Sequence, residues 1–163
     1  SQDAVHGGTT NVEVTVQGAS SAPVVLQALH VRVTERRAPL RWPSFLMSSG
    51  CGGGLTPAVY EVNLDRAHPL AWPKDGGEVD GPRHPVTRFP YQLNASESLV
   101  LLVRAEALEC DCDWYLELLW TSKGRSGTVR IDDAGRPFRT SALDGRPDYV
   151  YAFPTGPWFR PTS

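Results

Sequence analysis

The three cysteines offer the chain's sharpest chemistry. Cys51 sits in the run Ser48-Ser49-Gly50-Cys51-Gly52-Gly53-Gly54, and Cys110 and Cys112 flank Asp111. A glycine-rich loop exposes a thiol and surrounds it with backbone N–H groups, which is what a nucleophile and its oxyanion need, and His68 or His84 could serve as base. The same glycines serve equally well to make a tight turn. An enzyme built on Cys51 is therefore an alternative and not the leading expectation. The run is not a phosphate loop, because the Lys-Ser/Thr end is missing. Cys110 and Cys112 lie two apart on one strand face, too far from each other in extended geometry to join. A disulfide would then run from Cys51 to one of them and leave one thiol. Buried free thiols are a second outcome. A zinc site of the cysteines with a histidine is a third, weakened by the absence of the Cys-x₂-Cys knuckles such sites usually show. No metal or cofactor is expected.

Binding chemistry could come from aromatic and basic residues outside the regular strands. Trp42, Phe45 and Trp72, with Arg41, His68 and His84, are the candidate ligand-binding set. Aromatic rings supply large contact area with few rotatable bonds. Arginine grips carboxylate or phosphate with two prongs, and imidazole is the side chain that changes charge near neutrality. The competing expectation is that these residues plug the ends of the fold. Asp111/Asp113, Asp132/Asp133 and Asp144/Asp148 could bind calcium, but Asp is common in turns and no calcium-loop spacing is present.

Strands must position these groups. Val12, Val14 and Val16 alternate with polar residues, as do Leu29, Val31 and Val33, then Tyr60, Val62 and Leu64, then Leu99, Leu101 and Val103. The longest alternation runs from Glu109 to Thr121: Cys110, Cys112, Trp114, Leu116, Leu118 and Trp120 share one parity, and Asp111, Asp113, Tyr115 and Glu117 the other. A period of two held this long predicts a central strand with a buried face and a wet face. Ser122 to Gly127 predicts a turn, and Asp133-Ala134-Gly135 another. About eight short strands with Gly/Pro turns and no amphipathic helix predict an all-β, mostly antiparallel sandwich, immunoglobulin-like or jelly-roll-like, as one domain over 1–163. Two long irregular stretches, Glu35–Pro57 and Asp65–Glu97, interrupt it. Loops of that length are commonly functional, so a partner is expected there and not at the sheet edges.

The 163 residues can bury one sizeable core, and a formal net charge of -2 disfavours a dedicated nucleic-acid binder. No apolar run is long enough to span a bilayer, and no signal-peptide pattern appears. The chain begins at Ser1 without Met, which suggests a fragment of a longer protein.

The motif Cys110-Asp111-Cys112-Asp113-Trp114-Tyr115-Leu116-Glu117-Leu118, followed by Gly124-Arg125-Ser126-Gly127-Thr128-Val129 and Gly135-Arg136-Pro137-Phe138-Arg139-Thr140, resembles an uncharacterised C-terminal β domain of actinobacterial proteins. There the domain tends to follow a helix-turn-helix or a membrane-spanning segment. Fourteen Arg against two Lys fits such a GC-rich, Streptomyces-like source. The resemblance implies attachment to a regulatory or membrane-anchored partner segment. With the long loops and the lack of a catalytic constellation, it makes a non-catalytic interaction or sensor domain the leading expectation, with an unknown protein or small-molecule partner and an extracytoplasmic location favoured over a cytoplasmic one. It carries over no functional residues. A carbohydrate- or other small-ligand-binding sandwich is the alternative.

Overall fold

The computed structural model describes residues 6–19, 21–39, 45–47, 56–75, 86–142, 149–151 and 158–159; at His6 and over 45–47, 149–151 and 158–159 it describes the backbone alone. The strands in chain order are β1 (His6–Gly7), β2 (Thr9–Gln17), β3 (Val24–Arg37), β4 (Phe45–Met47), β5 (Ala58–Asn63), β6 (Trp72–Lys74), β7 (Tyr91–Leu93), β8 (Ser98–Glu106), β9 (Asp111–Ser122), β10 (Arg125–Ile131), β11 (Phe138–Ser141), β12 (Tyr149–Tyr151) and β13 (Trp158–Phe159). No helix occurs among the described residues. One sheet has the order β1-β11-β9-β3-β7, with β10 also paired to β9. A second has the order β2-β8-β5-β6, and a small third one the order β13-β12-β4. The fold is the expected all-β, mostly antiparallel sandwich; the parallel pairs are β5 with β8, β1 with β11 and β4 with β12.

The long alternating stretch is β9, and it is central. It pairs with β3 along one edge and with β10 and then β11 along the other. Its apolar parity is buried from Cys110 to Leu118, and Trp114 is wholly enclosed. Facing it from the second sheet are Val12, Leu101, Val103, Tyr60 and Val62. A buried indole needs a partner for its N–H. Trp114 Nε1 donates to Thr140 Oγ1 at 3.0 Å, and that hydroxyl lies 2.5 Å from Thr10 Oγ1. Thr140 stands on β11 and Thr10 on β2, so this polar chain crosses between the two sheets.

The turns follow glycine chemistry more tightly than expected. Lys123 (φ 51°) and Gly124 (φ 72°) both take positive φ and join β9 to β10 as a two-residue hairpin, the geometry whose twist matches the flanking strands. Gly127 therefore lies inside β10, outside the turn.

Both irregular stretches are shorter than the sequence suggests. β3 continues to Arg37 past a bulge between Val33 and Glu35, so the first begins later. The second carries regular pairing: Leu70 bridges to His30 on the first sheet, β6 joins the edge of the second, and β7 adds to β3. Residues 70–74 thus pass from the edge of one sheet to the edge of the other and close one flank of the sandwich.

Candidate functional site

The wet side of β3 and the segment after β5 make a cleft. Along β3, His30, Arg32 and Thr34 alternate with the inward Leu29, Val31 and Val33. Beyond the bulge, Arg36 pairs with the Cys112 position and shares its inward face. From there it reaches across to the second sheet, where Nη1 donates to the Leu64 carbonyl and Nη2 donates to the Arg66 carbonyl at 2.5 Å. Nη1 also lies 3.9 Å from Cys112 Sγ. Asp65 anchors the same segment from the other side, accepting the Leu108 and Glu109 amides at 2.8 and 3.0 Å. These two anchors fix residues 64–66, and with them the position of Ala67, His68, Pro69 and Leu70.

The groove so formed has a volume of about 540 Å³. His30, Arg32, Arg36, His68, Leu70 and Tyr115 line it, and no carboxylate among the described residues does. Leu70 is 58% exposed although it bridges to the β3 edge. The Nδ1 atom of His30 is buried and has no hydrogen-bond partner among the described residues. Arg32 Nε sits 3.4 Å from Glu117 at the outer margin, and Arg130 stacks on the Tyr115 ring at 3.8 Å. Among the described residues the β3 edge away from β9 is paired only at Val24–Leu26 and His30, so Val31 to Thr34 present an edge without a described partner to the groove.

A second cleft of about 320 Å³ lies on the outer face of the other sheet, lined by Trp72, Glu61, Asn63, Lys74, Arg104 and Glu106 among others. Trp72 is 60% exposed there.

A charged cluster occupies the β3–β9–β11 end. Arg139 grips Asp111, Nε on Oδ1 at 3.0 Å and Nη2 on Oδ2 at 2.6 Å. Arg37 Nε donates to Asp111 at 3.2 Å, and its other nitrogens grip Asp113 at 2.6 and 3.2 Å. Arg139 first, then Arg37, hold the Asp111 carboxyl below the usual carboxylate range, against the opposing effect of burial. Asp113 and, second, Asp111 raise the Arg37 guanidinium in turn. With their oxygens committed to arginines, Asp111 and Asp113 do not form the calcium loop considered from sequence. Asp132 is likewise committed, to the Gly135 amide and Arg130.

Two expectations are corrected here. Asp111, on the wet parity, has a side chain only 1% exposed, because two guanidinium groups cover it. Cys110 and Cys112 are joined to each other, not to Cys51. Cys110 precedes the first residue of β9, so the pair is not extended, and its Cα atoms stand 5.6 Å apart, within disulfide reach.

Of the sequence-picked binding set, His68 lines the groove and Trp72 the second cleft, so these two are not brought together. Phe45 lies in β4, described by its backbone alone. Arg41, Trp42, Cys51 and His84 lie outside the described residues. Sequence reasoning placed the site in loops away from sheet edges, whereas the groove is made by one loop segment against one edge. It singled out neither His30 nor Tyr115, which read as ordinary wet-side residues of long strands. No protein-family model, curated protein or solved structure matches the chain.

Proposed function

We propose that this chain is a non-catalytic interaction domain, the sensing or docking part of a longer regulatory or membrane-anchored protein. In this reading it holds an extended acidic segment of a partner in the groove beside β3. The observation that carries it is the groove's lining: His30, Arg32, Arg36 and His68 with no carboxylate among the described residues, set along a strand edge without a described partner. An extended segment can add to such an edge through its own backbone, and acidic side chains at alternate positions meet the cationic lining.

A peptide array comparing acidic, neutral and basic extended sequences tests the proposal. Acidic peptides should be retained, salt should weaken them, and the charge reversal Arg32→Glu should abolish retention. Arg32 is half-exposed, so the reversal leaves the core intact. Equal retention of neutral and acidic peptides, or retention unchanged in Arg32→Glu, refutes it.

A further inference from the structure

We infer that the outer face of the β2-β8-β5-β6 sheet is a binding site for a neutral oligosaccharide chain, with Trp72 as its stacking platform. This site is separate from the β3 groove and does not depend on its occupant.

The registers lay out the face residue by residue. Trp72 on β6 stands beside Glu61 on β5, Glu61 beside Arg104 on β8, and Arg104 beside Asn11 on β2. The neighbouring row holds Asn63, Glu106 and Thr9. Trp72 and Arg104 are two strands apart, roughly 10 Å at the usual strand spacing, which leaves room for a short run of pyranose rings. The cleft volume of about 320 Å³ lies at the small end of the range for ligand sites.

Three features select the ligand class. First, the indole of Trp72 is the large aromatic exposed on this face, at 60%. The C–H face of a pyranose is apolar and weakly positive, and it complements the negative face of an aromatic ring. Second, the polar residues around the ring balance in charge: Glu61 and Glu106 against Lys74 and Arg104. Such a set repels neither a cation nor an anion strongly and rewards neither. It suits an uncharged ligand whose hydroxyls both donate and accept. Third, part of that polar set is uncommitted. Lys74 and Glu61 approach to 3.7 Å at the surface. Among the described residues, Arg104 and Glu106 have no side-chain hydrogen bond or ion pair. Uncommitted donors and acceptors beside an exposed aromatic ring are parts a sugar site uses. The charge balance also separates this face from the cationic groove, so an acidic peptide gains little here.

Native affinity electrophoresis tests the site, with gels containing hydroxyethylcellulose, xylan, laminarin, glycol chitin or pullulan. At least one of these should retard the wild-type domain. In that gel, Trp72→Ala should weaken affinity at least roughly tenfold and Trp72→Phe should keep part of it. Arg104→Ala should weaken it as well, while Leu70→Ser, on the other cleft, should leave it unchanged. Because Trp72 is largely exposed, thermal unfolding of Trp72→Ala should match wild type, which separates lost binding from lost folding. Absence of retardation in every gel overturns the inference. So does equal retardation of wild type and a folded Trp72→Ala. Capture of acidic peptides by this face in place of glycans overturns it too and marks a protein-docking surface.

Discussion

Asp111 receives the Arg139 guanidinium in a two-pronged grip, Nε at 3.0 Å on one oxygen and Nη2 at 2.6 Å on the other. The pair spans neighbouring strands two residues out of register, on the diagonal, since Asp111 faces Ser141 and Arg139 faces Asp113. Arg37 closes the cluster from the opposite strand. The folded Asp111 carboxyl therefore has a lower pKa than in the unfolded chain, where it titrates near ~3.9. Its contribution to stability is complete above the unfolded value and is lost as pH falls through the lower folded value. Urea unfolding midpoints should be flat near neutrality and decline below about pH 4. Asp111→Asn should cost about 2–3 kcal/mol at neutral pH and flatten that acid limb. An identical acid limb in wild type and variant excludes the clamp as its origin.

Tyr60 titrates late for a different reason. Burial pushes its hydroxyl up to about 12, and the nearby Arg88 charge only partly opposes this. The hydroxyl donates to the Thr87 carbonyl at 2.7 Å, and the ring stacks on Phe89. A raised folded pKa gives stability that is full below the unfolded value near ~10 and is lost as pH rises through about 12. Phenolate absorbance should show a late step near pH 12. Tyr60→Phe should remove that step. A high-pH titration with no step lost in Tyr60→Phe would contradict the burial.

The disulfide predicts a thiol count. With three cysteines and one bond between Cys110 and Cys112, the denatured, unreduced chain should titrate one thiol. Cys51→Ser should then titrate none. Two thiols in that variant would show that Cys51 is the natural partner of one of the pair.

Gly127 is held by a neighbour and not by its own backbone angle. A Cβ there would stand 2.5 Å from Trp120 Cζ2 and 2.7 Å from Cε2, so the indole would have to move. Gly127→Ala should cost about 1–3 kcal/mol and alter the Trp120 fluorescence. Gly124→Ala meets no atom within 4 Å, but keeps a φ of 72° that alanine disfavours. It should cost about 1 kcal/mol with no change in fluorescence. Chemical denaturation of the two variants, read by tryptophan emission, distinguishes close packing from backbone strain.

Periodicity made β9 legible because its two faces meet different surroundings from Cys112 to Leu118. It could not show that Asp111 is buried, since the arginines over it come from β3 and β11, distant in sequence. It misled at Cys110, where extended geometry was assumed one residue before the strand begins. His30 looked like a solvated strand residue and Arg36 like part of the irregular Glu35–Pro57 stretch, and only the return of residues 67–70 against β3 makes a groove of them. Trp72 was legible as a candidate by type, but its polar neighbours on β5 and β8 follow from strand order, which alternation alone does not encode.

Arg36 ties the sheets together through the carbonyl oxygens of Leu64 and Arg66, not through their side chains. Every amino acid carries that oxygen, so the acceptors survive substitution at either position. Among descendants of this chain, the residue at 66 is free to drift, while the arginine at 36 has no substitute with the same fork and reach. The vulnerability of this anchor to inherited change is therefore one-sided: it resides in the donor alone.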